Sequence, residues 1–457
     1  MATIAFLHNA LGKTDGVSLE VDKWRYVLET KMKHNVLYCA GNDDVSHVHC
    51  VPELSFMHPR SEKILRNATV QLKDFTETEL KEEIFKLKDI IKTKLLAFIR
   101  KHKIDLLIPN NLLSVGYHIP ALIALHEIIT ETKIPTIAHN HDFYFEASGE
   151  VNPTCKTVWN LLDLYTPVRG KNVQNITINR IAQAELFART GVKAQVVPNV
   201  FDFKQPAWKE DAYNADFRKS FDIGENDIVL LQATRIMLRK GIENAIDIVA
   251  EMNTPENRRR LLERKLYNGK QFTKDSRIIL LCAGRREIFG TTDTYYNGLL
   301  DRAKRQNVAI RFAGEYVKHS RGKKNGKKVY SLWDSYVHSD FVSYPSWWEG
   351  WGNQLIEAVF ARLPVVLYEY PVYKSDIARS HLEVVSLGDK ISSIDKNGLV
   401  SIDRAIVQRA AAEIVSILTD PARYSHITEK NFRICAKRYS YEVLEALIRK
   451  IMKKIGM

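Results

Sequence analysis

The feature that most constrains this chain is a repeated alternation of short apolar strands with longer helical segments. Residues 3–9 read "TIAFLHN", 35–41 "NVLYCAG", 105–111 "DLLIPNN", 135–142 "PTIAHNHD", 176–180 "ITINR" and 194–200 "AQVVPNV". Helical patterns fall between them. Leu80, Ile84, Leu87, Ile91, Leu95 and Phe98, for example, recur at spacings of three and four and make one apolar stripe. Strands with one wet face alternate apolar and polar residues, whereas these are apolar almost throughout. That pattern predicts parallel sheets covered by helices on both faces.

The pattern restarts near residue 227. "DIVLLQATR", "SRIILLCAG", "VAIRFAG", "DFVSYPS" and "LPVVLYEY" are the strands of a second run. A length of 457 residues suits two or three domains. The expected fold class is therefore α/β, with two Rossmann-like, doubly wound parallel-sheet domains. The expected boundaries are residues 1–205, residues 206–430, and a final helix in 431–457 that packs back toward the first domain.

In open parallel sheets, ligands bind outside the carboxyl ends of the strands. The chemistry-bearing segments all sit there: "HNALGKTDG", "AHNHDF", "ATRIMLRKG", "FAGEY" and "PSWWEGWG". In the last, the strand "DFVSYP" ends at Pro345 and helical periodicity begins near Asn353. Gly350, Trp351 and Gly352 thus lie at a helix N-terminus, where unpaired amides and the positive end of the dipole suit a diphosphate. Glu349 would repel phosphate, so its expected role is to accept hydrogen bonds from sugar hydroxyls. Glu357 lies two helical turns on, roughly 12 Å along the axis, about the reach from a sugar to a ribose across a diphosphate. The cations expected on the phosphates are Arg235 and Lys240, which would also stabilise charge growing on a leaving group.

Composition narrows the alternatives. The formal charge is +13, which fits anionic small substrates, an anionic membrane surface or nucleic acid, and fits a merely solvated basic surface as well. The densest basic stretch, residues 318–328, reads as an exposed loop and lacks the interleaved aromatics of a single-strand binding groove. No recognised nucleic-acid motif is present, and no G-x-G-x-x-G follows the first strand, which disfavours a dehydrogenase. No apolar run approaches the length that crosses a bilayer, and the first residues read as too short for a signal peptide. Membrane-surface attachment is permitted by the charge but supported by no amphipathic segment. The five cysteines are scattered without a C-x-x-C pair, as in a reducing cytoplasm.

Taken together, "DG" in the first loop, "HD" at 141–142, "VVPNVFD" at 196–202, "TRIMLRKG" at 234–241 and "PSWWEGWGNQLIEA" resemble the retaining glycosyltransferases of family 4. The resemblance implies the GT-B fold, in which two Rossmann-like domains face a central cleft. It implies a nucleotide diphosphate sugar held by the C-terminal domain and an acceptor held mainly by the N-terminal one. Carried over, Glu349 binds donor-sugar hydroxyls, Gly350 through Gly352 offer backbone amides, Glu357 binds the ribose, and Arg235 and Lys240 clamp the diphosphate. His141 matches the histidine that contacts the donor sugar near the reaction centre, with His139 as its rival. Asn353 and Gln354 stand where apolar residues are frequent and are placed to touch the donor. The stretch from Gly352 to Ile377 is similar to family members that build mannosylglucosylglycerate.

The implied reaction moves a hexose, mannose or glucose, from a nucleotide diphosphate sugar such as GDP-mannose to a hydroxyl of a small sugar-type acceptor such as glucosylglycerate. Lys13, Asp15 and Gly16 in the first loop are the acceptor candidates, since a lysine beside a helix N-terminus favours an anionic acceptor; a plain tight turn explains them equally well. No Asp-x-Asp motif stands at a strand end, so no metal ligand is assigned and no cofactor is required, with room left for magnesium. Rival readings are transfer to a membrane lipid or polysaccharide, a GT-B nucleotide-sugar epimerase, and, in a different class, a basic nucleic-acid-binding module.

Overall fold

A computed structural model of the protein describes residues 1–12, 16–42, 47–146, 151–287 and 292–457. Lys13 and Asp15 lie outside the described residues; Gly16 opens the helix Gly16–Tyr26. The chain divides into two compact units, Met1–Val200 with Tyr439–Met457, and Phe201–Arg438.

The first unit is built on β1 (Thr3–His8), β2 (Asn35–Ala40), β3 (Val48–Cys50), β4 (Leu106–Pro109), β5 (Thr136–Asn140), β6 (Val173–Thr177) and β7 (Gln195–Val196), in the sheet order β3-β2-β1-β4-β5-β6-β7. Every pairing is parallel. The continuous apolar character has its cause here. Along β1, Ile4 and Phe6 enter one core cluster while Ala5 and Leu7 enter the other, so both faces are buried. The stripe Leu80, Ile84, Leu87, Ile91, Leu95 and Phe98 lies on one helix, Glu77–His102, and fills the Ala5–Leu7 side. That helix starts at a capping box formed by Thr76 and Glu79. On the opposite side, Leu444, Ile448 and Ile451 of the last helix, Tyr441–Lys454, pack with Ile4 and Phe6. The preceding helix, Pro421–Arg438, stays with the second unit.

The second unit is built on β8 (Ile228–Gln232), β9 (Ile278–Cys282), β10 (Ala309–Phe312), then β11 (Val317–Lys318), β12 (Gly322–Lys324) and β13 (Lys327–Ser331), and finally β14 (Phe341–Tyr344), β15 (Val365–Leu367) and β16 (Val385–Ser386). Its main sheet has the order β10-β9-β8-β14-β15-β16 and is parallel throughout. Strands β11, β13 and β12 form a small separate sheet. The basic stretch 318–328 is therefore not the loop its composition suggested. Asn325 and Gly326 both have positive φ, at 50° and 75°, and close a tight β12–β13 hairpin. Arg321 is paired with Asp334 and Asp211, and Lys328 with Asp216, so part of the basic charge is used to pin the hairpin down.

Strand order reverses once in each sheet, between β1 and β4 in the first unit and between β8 and β14 in the second. At such a point adjacent loops leave the carboxyl edge in opposite directions and open a crevice.

Candidate active site

Beyond β8 the chain runs through Thr234, Arg235 and a single helical turn, Leu238–Lys240, into the helix Ile242–Met252. Beyond β14 it runs through Pro345 to Gly352 into the helix Asn353–Phe360. These two loops flank the point where the strand order reverses, and they are knitted together. The Trp347 amide donates to the Arg239 carbonyl at 3.1 Å, and the Trp347 indole N–H to the Leu238 carbonyl at 3.3 Å. Arg239 Nη1 returns a bond to the Trp348 carbonyl at 2.7 Å. The Gln354 amide reaches the Ala233 carbonyl at 2.9 Å. Gly241, in the left-handed region at φ 59°, lies so close that a Cβ there would stand 2.4 Å from the Pro345 carbonyl oxygen. Only glycine meets both demands.

This knitting brings Lys240 onto Glu349. Lys240 Nζ donates to Glu349 Oε1 at 2.5 Å, and Arg239 Nη1 donates to Oε2 at 3.0 Å. Lys240 is 5% and Glu349 8% exposed. Burial alone would raise the Glu349 carboxyl, but Lys240 and Arg239 outweigh it and hold it below the ordinary carboxylate range. Burial pushes the Lys240 ammonium down to about 8, against the pull of Glu349, and the charges of Arg239 and Arg235 add to the push. Both groups are therefore charged at neutral pH. A buried pair of this kind is costly to assemble and is kept where charge at a fixed place is useful.

The other expected residues are distributed around this pair. Arg235 is exposed and pairs with Glu287, beyond the end of β9, while its charge still acts on Lys240. Gly352 is the residue before the helix Asn353–Phe360, and Trp351 is buried beside it. A Cβ on Gly352 would meet the Tyr370 hydroxyl at 2.6 Å, so the chain is packed tightly where the helix begins. Asn353 is half-buried in the first turn, and Glu357 one turn further accepts a hydrogen bond from the buried Tyr336 hydroxyl at 3.0 Å.

In the first unit, His141 follows the end of β5 and is 5% exposed. Its amide donates to Asn111 Oδ1 at 2.7 Å, and its Nε2 lies 3.4 Å from Asn110 Oδ1. The Asn111 side chain also ties the Asp142 amide, at 3.2 Å, and the Asp142 carboxylate, at 3.1 Å. His8, at the end of β1, bonds the Asn110 carbonyl at 2.8 Å. The rival His139 stacks on His141, with ring centroids 4.1 Å apart, and meets the tilted ring of Trp24 at 4.8 Å. Burial, with the neighbouring His141 adding to it, drives His139 well below the ordinary imidazole value, so it is neutral.

Sequence reading passed over Arg239, which bonds the second oxygen of Glu349. It also passed over Asn110 and Asn111, whose side chains hold the loop carrying His141. A signal existed for each: two adjacent cations before the glycine of "LRKG", and two adjacent asparagines directly after an apolar strand.

No protein-family model matches the chain. Two curated proteins are similar over nearly its whole length. One is the mannosylglucosylglycerate synthase of Petrotoga mobilis, 35% identical over 421 residues, covering 92% of this chain and 94% of the relative. The other is the mannosylglucosylglycerate synthase of Thermotoga maritima, 37% identical over 450 residues, covering 97% of this chain and 98% of the relative. Among solved structures, the Anabaena protein HepE in complex with UDP and glucose superposes with a TM-score of 0.59 at 15% identity, covering 99% of this chain and 100% of that one. A glycosyltransferase from Rickettsia africae gives 0.60 at 12% identity, covering 99% and 98%. The two parallel-sheet units have the GT-B glycosyltransferase architecture.

Proposed function

This chain belongs to the mannosylglucosylglycerate synthase family, and on that footing we propose that it transfers a mannosyl group from a nucleotide diphosphate sugar, GDP-mannose, to a hydroxyl of glucosylglycerate, in the manner of family 4 and with the anomeric configuration retained. The observation that carries the site assignment is the buried Lys240–Glu349 pair, with Arg239 on its second oxygen, where the strand order reverses between β8 and β14.

In this reading the donor diphosphate lies across Lys240, Arg239 and Arg235, with the amides of Gly350 to Gly352 beside it. A carboxylate has room for about four donors, so Glu349 can hold the two cations and still accept from hydroxyls of the transferred sugar. Asn353 lies beside the donor, and Glu357, oriented by Tyr336, accepts from the ribose. The bond from the anomeric carbon to the diphosphate oxygen breaks as the acceptor oxygen bonds to that carbon on the same face. The acceptor proton passes to an oxygen of the departing diphosphate. Lys240 and its neighbouring arginines stabilise the charge that grows there. His141 is the candidate for contact with the transferred sugar, and Lys13, Asp15 and Gly16 are the candidates for acceptor recognition. Lys13 answers the glycerate carboxylate of the acceptor. The reading needs no resident cofactor and places the enzyme in the cytoplasm, where nucleotide sugars are made. Among the described residues, no helix is long and apolar enough to cross a membrane.

Thermal-shift measurement with UDP, GDP and ADP and their hexose conjugates tests the donor assignment. A ligand at a hundredfold excess over its dissociation constant stabilises by about 2.7 kcal/mol. GDP and GDP-mannose should raise the melting temperature of the wild type and not that of Lys240→Ala. An equal shift in both proteins would remove the donor from this site.

A further inference from the structure

The turn that carries Lys240 is held from behind by groups outside the donor site. Glu243, the second residue of the helix Ile242–Met252, is completely buried. Its Oε2 accepts from the Tyr295 hydroxyl at 2.6 Å and its Oε1 from the Val400 amide at 2.8 Å. The Tyr295 oxygen in turn accepts from the Ile242 amide at 3.0 Å. The first amide of this helix is thus satisfied by Tyr295 and not by a ligand. Arg302, a cation whose charge acts on Glu243, is already paired with Asp247. Burial pushes Glu243 up to about 7, against the hydrogen bonds from Tyr295 and Val400.

Val400 extends the same grip. It lies on the hairpin of strands Ser393–Ile394 and Val400–Ser401, and a Cβ on Gly398 in that hairpin would touch Leu238 Cδ1 at 3.4 Å. Leu238 is two residues before Lys240, and its carbonyl holds the Trp347 indole. The residue type is demanded by this arrangement. Two donors converge on residue 243, and only a carboxylate offers an acceptor oxygen to each; an amide would set one of its own N–H groups against a donor.

We propose that Glu243 and Tyr295 are positioning residues for the transfer reaction, fixing the turn from Leu238 to Ile242 so that Lys240 stays in register with Glu349. The inference rests on the reading that Lys240 steadies the departing diphosphate. Neither residue touches substrate. Both act through the backbone of the turn.

The test compares Tyr295→Phe, Glu243→Gln, Lys240→Ala and Val249→Ala, the last removing a buried side chain from the same helix without touching the relay. For each, kcat, the KM for GDP-mannose, the alkaline limb of kcat/KM and the melting temperature are measured with glucosylglycerate as acceptor. Small misplacements of catalytic groups cost on the order of ten- to a hundredfold in rate, and a loss in that range is expected for kcat in Tyr295→Phe and Glu243→Gln. Their alkaline limb should also move from its wild-type position, because Lys240 then sits differently against Glu349, Arg239 and Arg235. Val249→Ala should melt earlier yet keep kcat and the limb, which separates positioning from mere stability. If Tyr295→Phe does not fold, the near-isosteric Glu243→Gln carries the same readouts. Folded relay variants with wild-type kcat and an unmoved limb would overturn the proposal. If Lys240→Ala itself transfers normally, the donor-site reading fails and takes this inference with it.

Discussion

Gly241→Ala should disable transfer while leaving the protein folded. The Cβ it adds would stand 2.4 Å from the Pro345 carbonyl oxygen, against about 3.4 Å for ordinary contact, so the two loops must part by roughly 1 Å. Gly241 lies between Lys240 and the helix, and Pro345 lies four residues before Glu349, so the same movement draws Lys240 away from a carboxylate it now meets at 2.5 Å. A displacement of this size at a reacting group costs on the order of a hundredfold in rate. The left-handed backbone adds a stability cost of roughly 1–2 kcal/mol for any residue with a Cβ. Gly269→Ala separates the two effects. Gly269 has φ 81° with nothing within 4 Å of an added Cβ, so it carries the backbone cost without the clash. Steady-state kinetics and thermal melting of both variants are the assay. Melting losses in both variants, the larger in Gly241→Ala, with kcat reduced only in Gly241→Ala, are expected. Wild-type kcat in a folded Gly241→Ala, or an equal kcat loss in Gly269→Ala, would refute the idea that the contact between these loops sets the Lys240–Glu349 geometry.

Other outcomes follow from the same groups. Lys240→Ala should lower kcat by a hundred- to a thousandfold, the usual effect of losing one preorganised charge stabiliser; a change in donor KM alone would make Lys240 a ground-state binder. Because Lys240 must be protonated to act and burial lowers it to about 8, kcat/KM should fall as the pH rises above that value. Lys240→Arg should keep some activity and lose that limb. Asn111→Ala should lower stability by about 1–3 kcal/mol, since it removes the acceptor shared by the buried His141 amide and the half-buried Asp142 amide; an unchanged melting temperature would show that this link is idle.

The parts legible in the sequence are those that local physics determines. β8 and β9 are apolar almost throughout and buried along their whole length, as strands covered on both faces are. The loop from Pro345 to Gly352 could be placed because proline ends a strand and the glycines precede a helical period. What escaped depends on side chains meeting across the fold. Arg239 lies in a quoted motif, but only the tight turn Leu238–Lys240 aims it at Glu349 together with Lys240. Strand β3 is three residues at a sheet edge, "VHC", too short for any period. The hairpin around Asn325–Gly326 was hidden by its lysines, although Asn-Gly is itself a hairpin signal. Glu243 reads as one more surface glutamate at the start of a helix; its burial comes from Tyr295 and Val400, distant in sequence.

Incubation of the purified protein with GDP-mannose, with and without glucosylglycerate, tests the central claim most directly. GDP release, product mass and the anomeric proton signal would be followed together. The account predicts GDP release that depends on glucosylglycerate, one product heavier than the acceptor by a single hexosyl residue (a hexose less water), and a new linkage with the configuration of the donor. Release of GDP at the same rate without acceptor, or a product of inverted configuration, would contradict it.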